Sequence, residues 1–247
     1  MSADPFSLDG RRILVTGASS GLGRAIAIGC SQRGATIVAS GRDELRLRET
    51  IGALYGIGHI SICADLTDQV GRDQVTLQAG NIHGLVHSAG IAALAPLRQA
   101  SVAHIETQMD TNFVSPMLLT QNLLQRNAIQ PGAAILFISS IAAHVGVRGV
   151  SAYSATKAAL EAAARCLSME VAKKNIRVNC LAPGEVRTPM FDASMITAGN
   201  LADTLASYPL GLGLPEDVAN AAIFFLSPAS RWVTGTTLIL DGGHTVG

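Results

Sequence analysis

A doubly wound α/β fold, with a parallel sheet of about seven strands and helices on both faces, is what this 247-residue sequence predicts. Three observations carry that expectation. Seven short apolar runs alternate along the chain with longer stretches of helical pattern. The runs are apolar on both faces, which suits strands covered by helices on two sides. Small and polar residues gather where the runs end, at Thr16-Gly17, Gly41, Asp65, Ala89-Gly90, Ser139-Ser140 and Pro183-Gly184. Sites in such sheets lie beyond that edge.

The first run, RILVTG at 12–17, leads into TGASSGLGRAIA, which opens a helix and puts Gly17, Gly21 and Gly23 at the turn. Glycines permit the tight reversal and let a phosphate approach backbone N–H groups. The helix start then offers unpaired amides and the positive end of its dipole to an anion. Strand before and helix after are the context of a Rossmann dinucleotide turn, although the spacing is GxxxGxG and not GxGxxG. TIVAS at 36–40 and HISICA at 59–64 are the next runs, and Asp65 is placed to cap a helix. GLVHSAG at 84–90 is the fourth. A helical stretch around 101–126 carries Asn112, an unfavourable residue in mid-helix. AAILFISS at 133–140 ends in two serines. A second long helix, around 151–174, holds Tyr153 and Lys157 four residues apart and so on one face. Taken alone, that pair is an ordinary helix surface. IRVNCLAPG at 176–184 and TTLILDGG at 236–243 complete the set.

Bulk properties narrow the function classes. Hydrophobic residues make up 48% and charged residues 15% of the chain, enough for a sizeable core and against extensive disorder. No repeat or long linker divides it, so 1–247 is read as one domain. With 18 basic and 18 acidic side chains and no basic stripe, no nucleic-acid partner is expected. The uncharged run from Asn127 to Val147 contains Pro131 and Gly132 and reads as loop, buried strand and loop, not as a membrane span. MSADPFSLDG has no apolar signal region. Cys30, Cys63, Cys166 and Cys180 lack CxxC spacing and are expected as buried, reduced thiols of a cytoplasmic protein. No metal site is expected from the histidines. The absence of a GxSxG elbow removes a triad hydrolase.

Together, TGASSGLG, SAYSATK, IRVNCLAPGEVRTPM and the terminal VTGTTLILDGG resemble the short-chain dehydrogenase/reductase family, in its order and over nearly the whole chain. The resemblance implies a nicotinamide dinucleotide cradled by Gly17, Ser19, Ser20, Gly21, Leu22 and Gly23. It puts Asp65 and Leu66 at the adenine and Ser88, Ala89 and Gly90 at the cofactor ribose. HSAG at 87–90 departs twice from the family's NNAG, so His87 is read as a structural substitute. Pro183, Gly184, Val186 and Thr188 would meet the nicotinamide side. At the end of the second run the discriminating position is Gly41, which has no carboxylate, and Arg42 beside it can pair with a 2′-phosphate. NADP is therefore preferred, with NAD possible if Asp43 supplies the acid instead.

For the chemistry, the resemblance makes Tyr153 the acid/base and Lys157 its electrostatic partner and ribose ligand. Ser140, thirteen residues before the tyrosine, becomes the orienter of the substrate oxygen, and Asn112 the holder of a relay water. Ser139 is left as a strand-end cap. An ammonium about 5 Å from a phenol, at an effective dielectric of about 20, favours phenolate by roughly 3 kcal/mol. The expected reaction interconverts a ketone and a secondary alcohol. A 3-oxoacyl-[acyl-carrier-protein] reductase is the specific alternative, weakened because IQPGAA before the fifth strand lacks a basic residue, though Lys174 could contact a carrier. A non-catalytic dinucleotide sensor is the alternative from another class. Residues 190–212 are expected as a lid whose Phe191, Met195, Ile196, Leu201, Leu205, Tyr208 and Leu210 suit an apolar or weakly polar small molecule. The family likeness also implies a homotetramer built through the two long helices, the second with an Ala-rich face.

Overall fold

In the computed structural model, which describes residues 4–192 and 201–246, the apolar runs form one parallel sheet. Its strands are β1 (Arg12–Thr16), β2 (Thr36–Gly41), β3 (Ile60–Cys63), β4 (Ile82–His87), β5 (Ile129–Ile138), β6 (Arg177–Pro183) and β7 (Thr237–Leu240). They lie in the order β3-β2-β1-β4-β5-β6-β7. Thr16 pairs with Ser40 on one side and His87 on the other, so the C-terminal ends of β2, β1 and β4 are level. The strand order reverses between β1 and β4, the point beyond whose carboxyl ends sheets of this kind bind ligands.

Both faces of the sheet are covered. On one, Ile13 and Val15 of β1 pack with Ile26 and Cys30 of α1 (Gly21–Gln32) and with Leu47 of α2 (Glu44–Gly52). On the other, Leu14 packs with Val75 of α3 (Gln69–Ala79). Consecutive residues of one strand thus enter opposite cores, which is why the runs are apolar without alternation. Each such fully buried aliphatic side chain contributes about 2 kcal/mol of transfer free energy.

The first long helix is interrupted. α4 (Val102–Met109) passes through a π-helical turn, Asp110–Val114, into α5 (Ser115–Gln125). Ser115 closes the turn by donating both its N–H and its hydroxyl to the Asp110 carbonyl. α6 runs uninterrupted from Ser151 to Val171 and buries Thr156, Lys157, Leu160, Glu161 and Ala164 against the sheet. α7 is the short helix Leu201–Ala206 and α8 is Pro215–Leu226.

Two expectations need correction. The segment before residue 133 is not a loop: β5 begins at Ile129, which pairs with Ile82. Gly132, at φ +78°, takes up a register shift that lets the strand resume at Ala134. Nor are all the thiols buried. Cys30 and Cys180 are, but Cys63 on edge strand β3 and Cys166 on the outer side of α6 are exposed.

Arg177, at the start of β6, is 9% exposed. Its guanidinium donates to the carbonyls of Phe225, Ser227 and Ser230, at 2.7, 3.2 and 3.2 Å, and so closes the C-terminal end of α8. Each of those carbonyls also accepts a bond from the Ser230 hydroxyl or from the Ser230 or Val233 amide, so replacing Arg177 with Met removes only the charged donor and should cost about 2 kcal/mol. The midpoint of urea unfolding measures it, and an unchanged midpoint would count against the capping role.

Candidate active site

The turn after β1 is built so that only glycine fits it. Gly17 has φ +67°, and a Cβ there would stand 2.7 Å from the Ala89 nitrogen. A Cβ on Gly23 would stand 2.3 Å from the Gly17 carbonyl oxygen. These approaches press α1 against β1 and β1 against the end of β4. A Cβ on Gly21, at φ +52°, would stand 3.7 Å from the Thr188 side chain, so this turn and the loop after β6 lie close against each other. Ser20 is the N-cap residue but makes no side-chain cap bond, and no acid stands in the first turn of α1. That leaves an uncompensated positive helix end, the electrostatic requirement for a diphosphate. Ser19 sits against Gly41 and Leu22 is partly buried in the α1 core. The cradle fits a dinucleotide.

At the end of β2, Arg42 is exposed and its guanidinium lies 3.8 Å from the Asp65 carboxylate across the strand ends. Asp43 caps α2 by accepting from the Arg46 N–H at 3.0 Å and pairs with the Arg46 guanidinium at 3.4 Å. Its carboxylate is committed to the helix. Asp65 caps no helix; it accepts from the Thr67 N–H and hydroxyl at 2.9 and 2.7 Å, while Asp68 caps α3. Those bonds, with the Arg42 charge, hold its carboxyl below the ordinary carboxylate range. Leu66 buries its side chain, and its carbonyl accepts from Arg72.

After β4, the Thr16 hydroxyl accepts from the Ser88 and Ala89 amides, both at 3.2 Å, and fixes the peptide that faces the glycine turn. His87 is buried, stacks on Phe137 with ring centroids 4.9 Å apart, and bonds Thr120 at 2.8 Å. Burial pushes its pKa down to about 3, so it is a neutral core residue. His83, four residues earlier, instead accepts the Arg12 N–H; the two histidines serve different neighbours.

The chemical residues meet at the ends of β4 and β5. Asn112 lies in the π-helical turn, and its side chain accepts the Ile91 N–H at 2.8 Å and donates to the Ile91 carbonyl at 2.9 Å. The side chain therefore pins the backbone after Gly90, a role the sequence reading did not include. Gly90 leaves room beside both Asn112 and Lys157, to which a Cβ would stand at 3.2 and 3.6 Å. The Lys157 ammonium is buried, donates to the Ile138 carbonyl at 2.8 Å, and lies 5.5 Å from the Tyr153 ring centroid. Ser140 accepts from the Ala142 N–H, which leaves its own proton for another acceptor, and its hydroxyl stands near enough to Tyr153 to favour the phenolate.

The electrostatics differ from expectation. Burial raises the Tyr153 phenol to about 12; the Ser140 bond opposes the rise and the Glu185 charge adds to it. Burial lowers Lys157 to about 8. The expected drop of the phenol fails because the ammonium lies over the ring and is spent on Ile138, so that desolvation of the half-buried phenol prevails. In this state Tyr153 is a neutral proton donor. Ser139 is likewise no strand-end cap: it donates to the Glu161 carboxylate at 2.7 Å and towards the Lys157 carbonyl at 3.3 Å.

Beyond β6, Pro183 ends the strand and the Gly184 N–H donates to Leu240 at 2.8 Å. Val186 is buried and bridges to Gly213, and Thr188 donates to the Val186 carbonyl. In the lid, Phe191 and Tyr208 are buried, and the Tyr208 hydroxyl accepts the Glu185 N–H at 2.9 Å. Leu210 is exposed. Met195 and Ile196 lie outside the described residues, as does the Leu201 side chain. The lid's described apolar residues thus serve partly as its own packing. Thr16 was legible only as a strand-end residue without a role, and Glu185 not at all. Their signals were a hydroxyl directly before the glycine turn and the single acid within APGEV.

Residues 17–245 match the family described as enoyl-(acyl carrier protein) reductase. D-erythrulose reductase of Gallus gallus is 33% identical, over 98% of each chain. The 3-oxoacyl-[acyl-carrier-protein] reductase of Chlamydia pneumoniae is 34% identical, over 97% of this chain and 99% of its own. A Beutenbergia cavernae protein solved with NADP bound at low occupancy superposes with a TM-score of 0.90, at 34% identity, covering 99% of this chain and all of the other.

Burial of Lys157 has a thermodynamic signature. Its folded pKa, about 8, lies below the ordinary 10.5, so between those values the unfolded chain holds a proton that the folded one has released. Stability from this group therefore rises with pH across that window. The difference in melting temperature between wild type and Lys157→Met should change in that direction, and a flat difference would contradict the burial.

Proposed function

The chain belongs to the short-chain dehydrogenase/reductase family, and we propose that it uses NADP to interconvert a neutral ketone and a secondary alcohol, with Tyr153 as the acid/base. It is an NAD(P)-dependent oxidoreductase. The observation that carries the proposal is the meeting of Ser140, Tyr153 and Lys157 at the same carboxyl edge of the sheet as the glycine turn, with Gly90 leaving room beside Lys157. The bound dinucleotide supplies or accepts the hydride. The chain's own residues do the rest. The turn at Gly17, Gly21 and Gly23, with the amides opening α1, holds the diphosphate. Ser88, Ala89, Gly90 and Lys157 would flank the ribose, while Pro183, Gly184, Val186 and Thr188 would border the reacting ring.

In reduction, the Ser140 hydroxyl orients the ketone oxygen and the Tyr153 phenol gives it a proton. A phenol held near 12 is competent as that donor. For oxidation, Tyr153 must act as the base, and the positive charges of Lys157 and of an oxidised nicotinamide would oppose the desolvation that disfavours its phenolate. Asn112 contributes by fixing Ile91, and a relay water held in the π-helical turn is part of the proposal. Glu185 supports a neutral substrate, because the negative charge that opposes ionisation of Tyr153 also repels a substrate carboxylate. NADP is favoured because Gly41 offers no carboxylate, Asp43 is engaged by α2, and Arg42 is exposed at the strand end; the Beutenbergia cavernae neighbour holds that cofactor.

Reduction of a 3-oxoacyl thioester is the second reading, favoured by the Chlamydia pneumoniae relative. Lys174, the basic residue considered for a carrier, donates to Asn127 at 3.0 Å. A non-catalytic sensor has no use for a buried ammonium beside a phenol. Cytoplasmic placement and a homotetramer belong to the proposal as well. Among the described residues no helix is long and apolar enough to cross a membrane, and Met169 on α6 and Trp232 before β7 are exposed apolar surface available for assembly.

NADPH oxidation across erythrulose, an aryl ketone, a 3-oxo acid and acetoacetyl thioesters tests the substrate class; the neutral ketones should turn over fastest. Tyr153→Phe should lower turnover about a thousandfold while NADPH still binds, and appreciable residual turnover would refute the acid/base role. Arg42→Ala should weaken NADPH binding by roughly tenfold or more and leave NADH nearly unchanged. Equal losses would remove the NADP assignment.

A further inference from the structure

Glu161 is 7% exposed and belongs to none of the groups assigned above. Its carboxylate accepts from the Ser139 hydroxyl at 2.7 Å and meets His144 Nε2 at 3.0 Å. Burying a carboxylate is expensive, and an apolar side chain of similar volume would fill the space at no cost in stability. What the carboxylate adds is connection. Ser139 and His144 bracket the segment that contains Ser140 and the short turn Ile141–Ala143. Glu161 stands on α6 one turn after Lys157 and two turns after Tyr153. Ser139 also reaches the Lys157 carbonyl, at 3.3 Å, so the same hydroxyl touches the lysine's own helical turn. One buried acid thus ties both ends of the Ser140 segment to the helix that carries the phenol and the ammonium.

The other charged or titratable groups around it are Lys157 and Arg165 on α6 and Cys180 on β6. Cys180 is a neutral thiol, pushed up to about 12 chiefly by burial and then by the Glu161 charge. His144 comes from the exposed side, in the loop between Ser140 and Tyr153.

We propose that Glu161 is a positioning residue for the reaction, and that His144 and Ser139 are the two contacts through which it sets the distance between the Ser140 hydroxyl and the Tyr153 phenol. The inference rests on the reading of Ser140 and Tyr153 as orienter and acid. Neither Glu161 nor His144 touches the reacting atoms; both act through Ser140. A displacement of an orienting group by about 1 Å costs up to a hundredfold in rate, so the effect belongs in kcat and not in cofactor affinity.

The test uses the full chain and, as probe, the fastest ketone of the panel above, with NADPH affinity followed separately by fluorescence quenching. His144→Ala removes one bracket and should lower kcat about tenfold, with the NADPH dissociation constant unchanged. His144→Gln places an amide nitrogen where the imidazole Nε2 stands and should restore most of the loss. Glu161→Gln keeps an acceptor for Ser139 and should fall between wild type and His144→Ala. Glu161→Leu should be the slowest of the four. Turnover of His144→Ala within twofold of wild type would overturn the proposal. So would a His144→Gln variant no faster than His144→Ala, or a joint loss of kcat and NADPH binding, since a merely structural role gives those results. Tyr153→Phe run in parallel separates the two levels: if it retains turnover, the acid/base reading fails, whereas a dead Tyr153→Phe beside a fully active His144→Ala condemns the Glu161 inference alone.

Discussion

The bond from the Lys157 ammonium to the Ile138 carbonyl organises this molecule. A charge taken out of water must find donors and acceptors inside the protein, and here it finds the last residue of β5. Satisfying it fixes the height of α6 against the sheet. The bond thereby puts Tyr153 beside Ser140 and brings the lysine within reach of the space left by Gly90. The glycine turn, the Thr16 clamp on Ser88 and Ala89, and the Asn112 grip on Ile91 then hold the same carboxyl edge of the sheet from the other side. Each of these contacts joins a strand end to a neighbouring element, so the cofactor cradle and the chemical group share one frame.

Some of this was legible in the sequence because its causes are local. Strands covered on both faces must be apolar throughout, and seven such runs became the seven strands. A backbone that touches backbone at 2.3 to 2.7 Å from a would-be Cβ demands glycine, so Gly17 and Gly23 announce the turn. Tyr153 and Lys157 share a helix face whatever surrounds them. What stayed illegible depends on surroundings. Spacing suggests that an ammonium lowers a phenol's pKa, but it says nothing of burial, which reversed the direction. Spacing from Tyr153 singled out Ser140, but the work of its neighbour Ser139 shows only where Glu161 of α6 meets it. The start of β5 hid behind Pro131 and Gly132, which ordinarily mark a loop.

The charged residues at the ends of β2 and β3 show a division of labour visible only in three dimensions. Four charged side chains lie close together there: Arg42, Asp43, Arg46 and Asp65. Asp43 and Arg46 satisfy each other at the start of α2, and Asp65 is occupied by Thr67. Arg42 is the member held by the longest contact, 3.8 Å at an exposed site, where an ion pair is worth little. It is therefore the cheapest of the four to recruit.

The π-helical turn between α4 and α5 has a consequence for how the chain can vary. One extra residue in a helix shifts everything beyond it by about 100° and 1.5 Å. Asn112 reaches Ile91 from inside that extra turn, while Leu119 and Leu123 of α5 reach the core from beyond it. The two ends of the helix therefore read the sheet in different frames. Substitutions anywhere along it leave that offset intact, but a single insertion or deletion between Asp110 and Val114 would force a choice between the core contacts of α5 and the grip on Ile91. In this stretch a change of length therefore disturbs more contacts than a substitution away from Asn112.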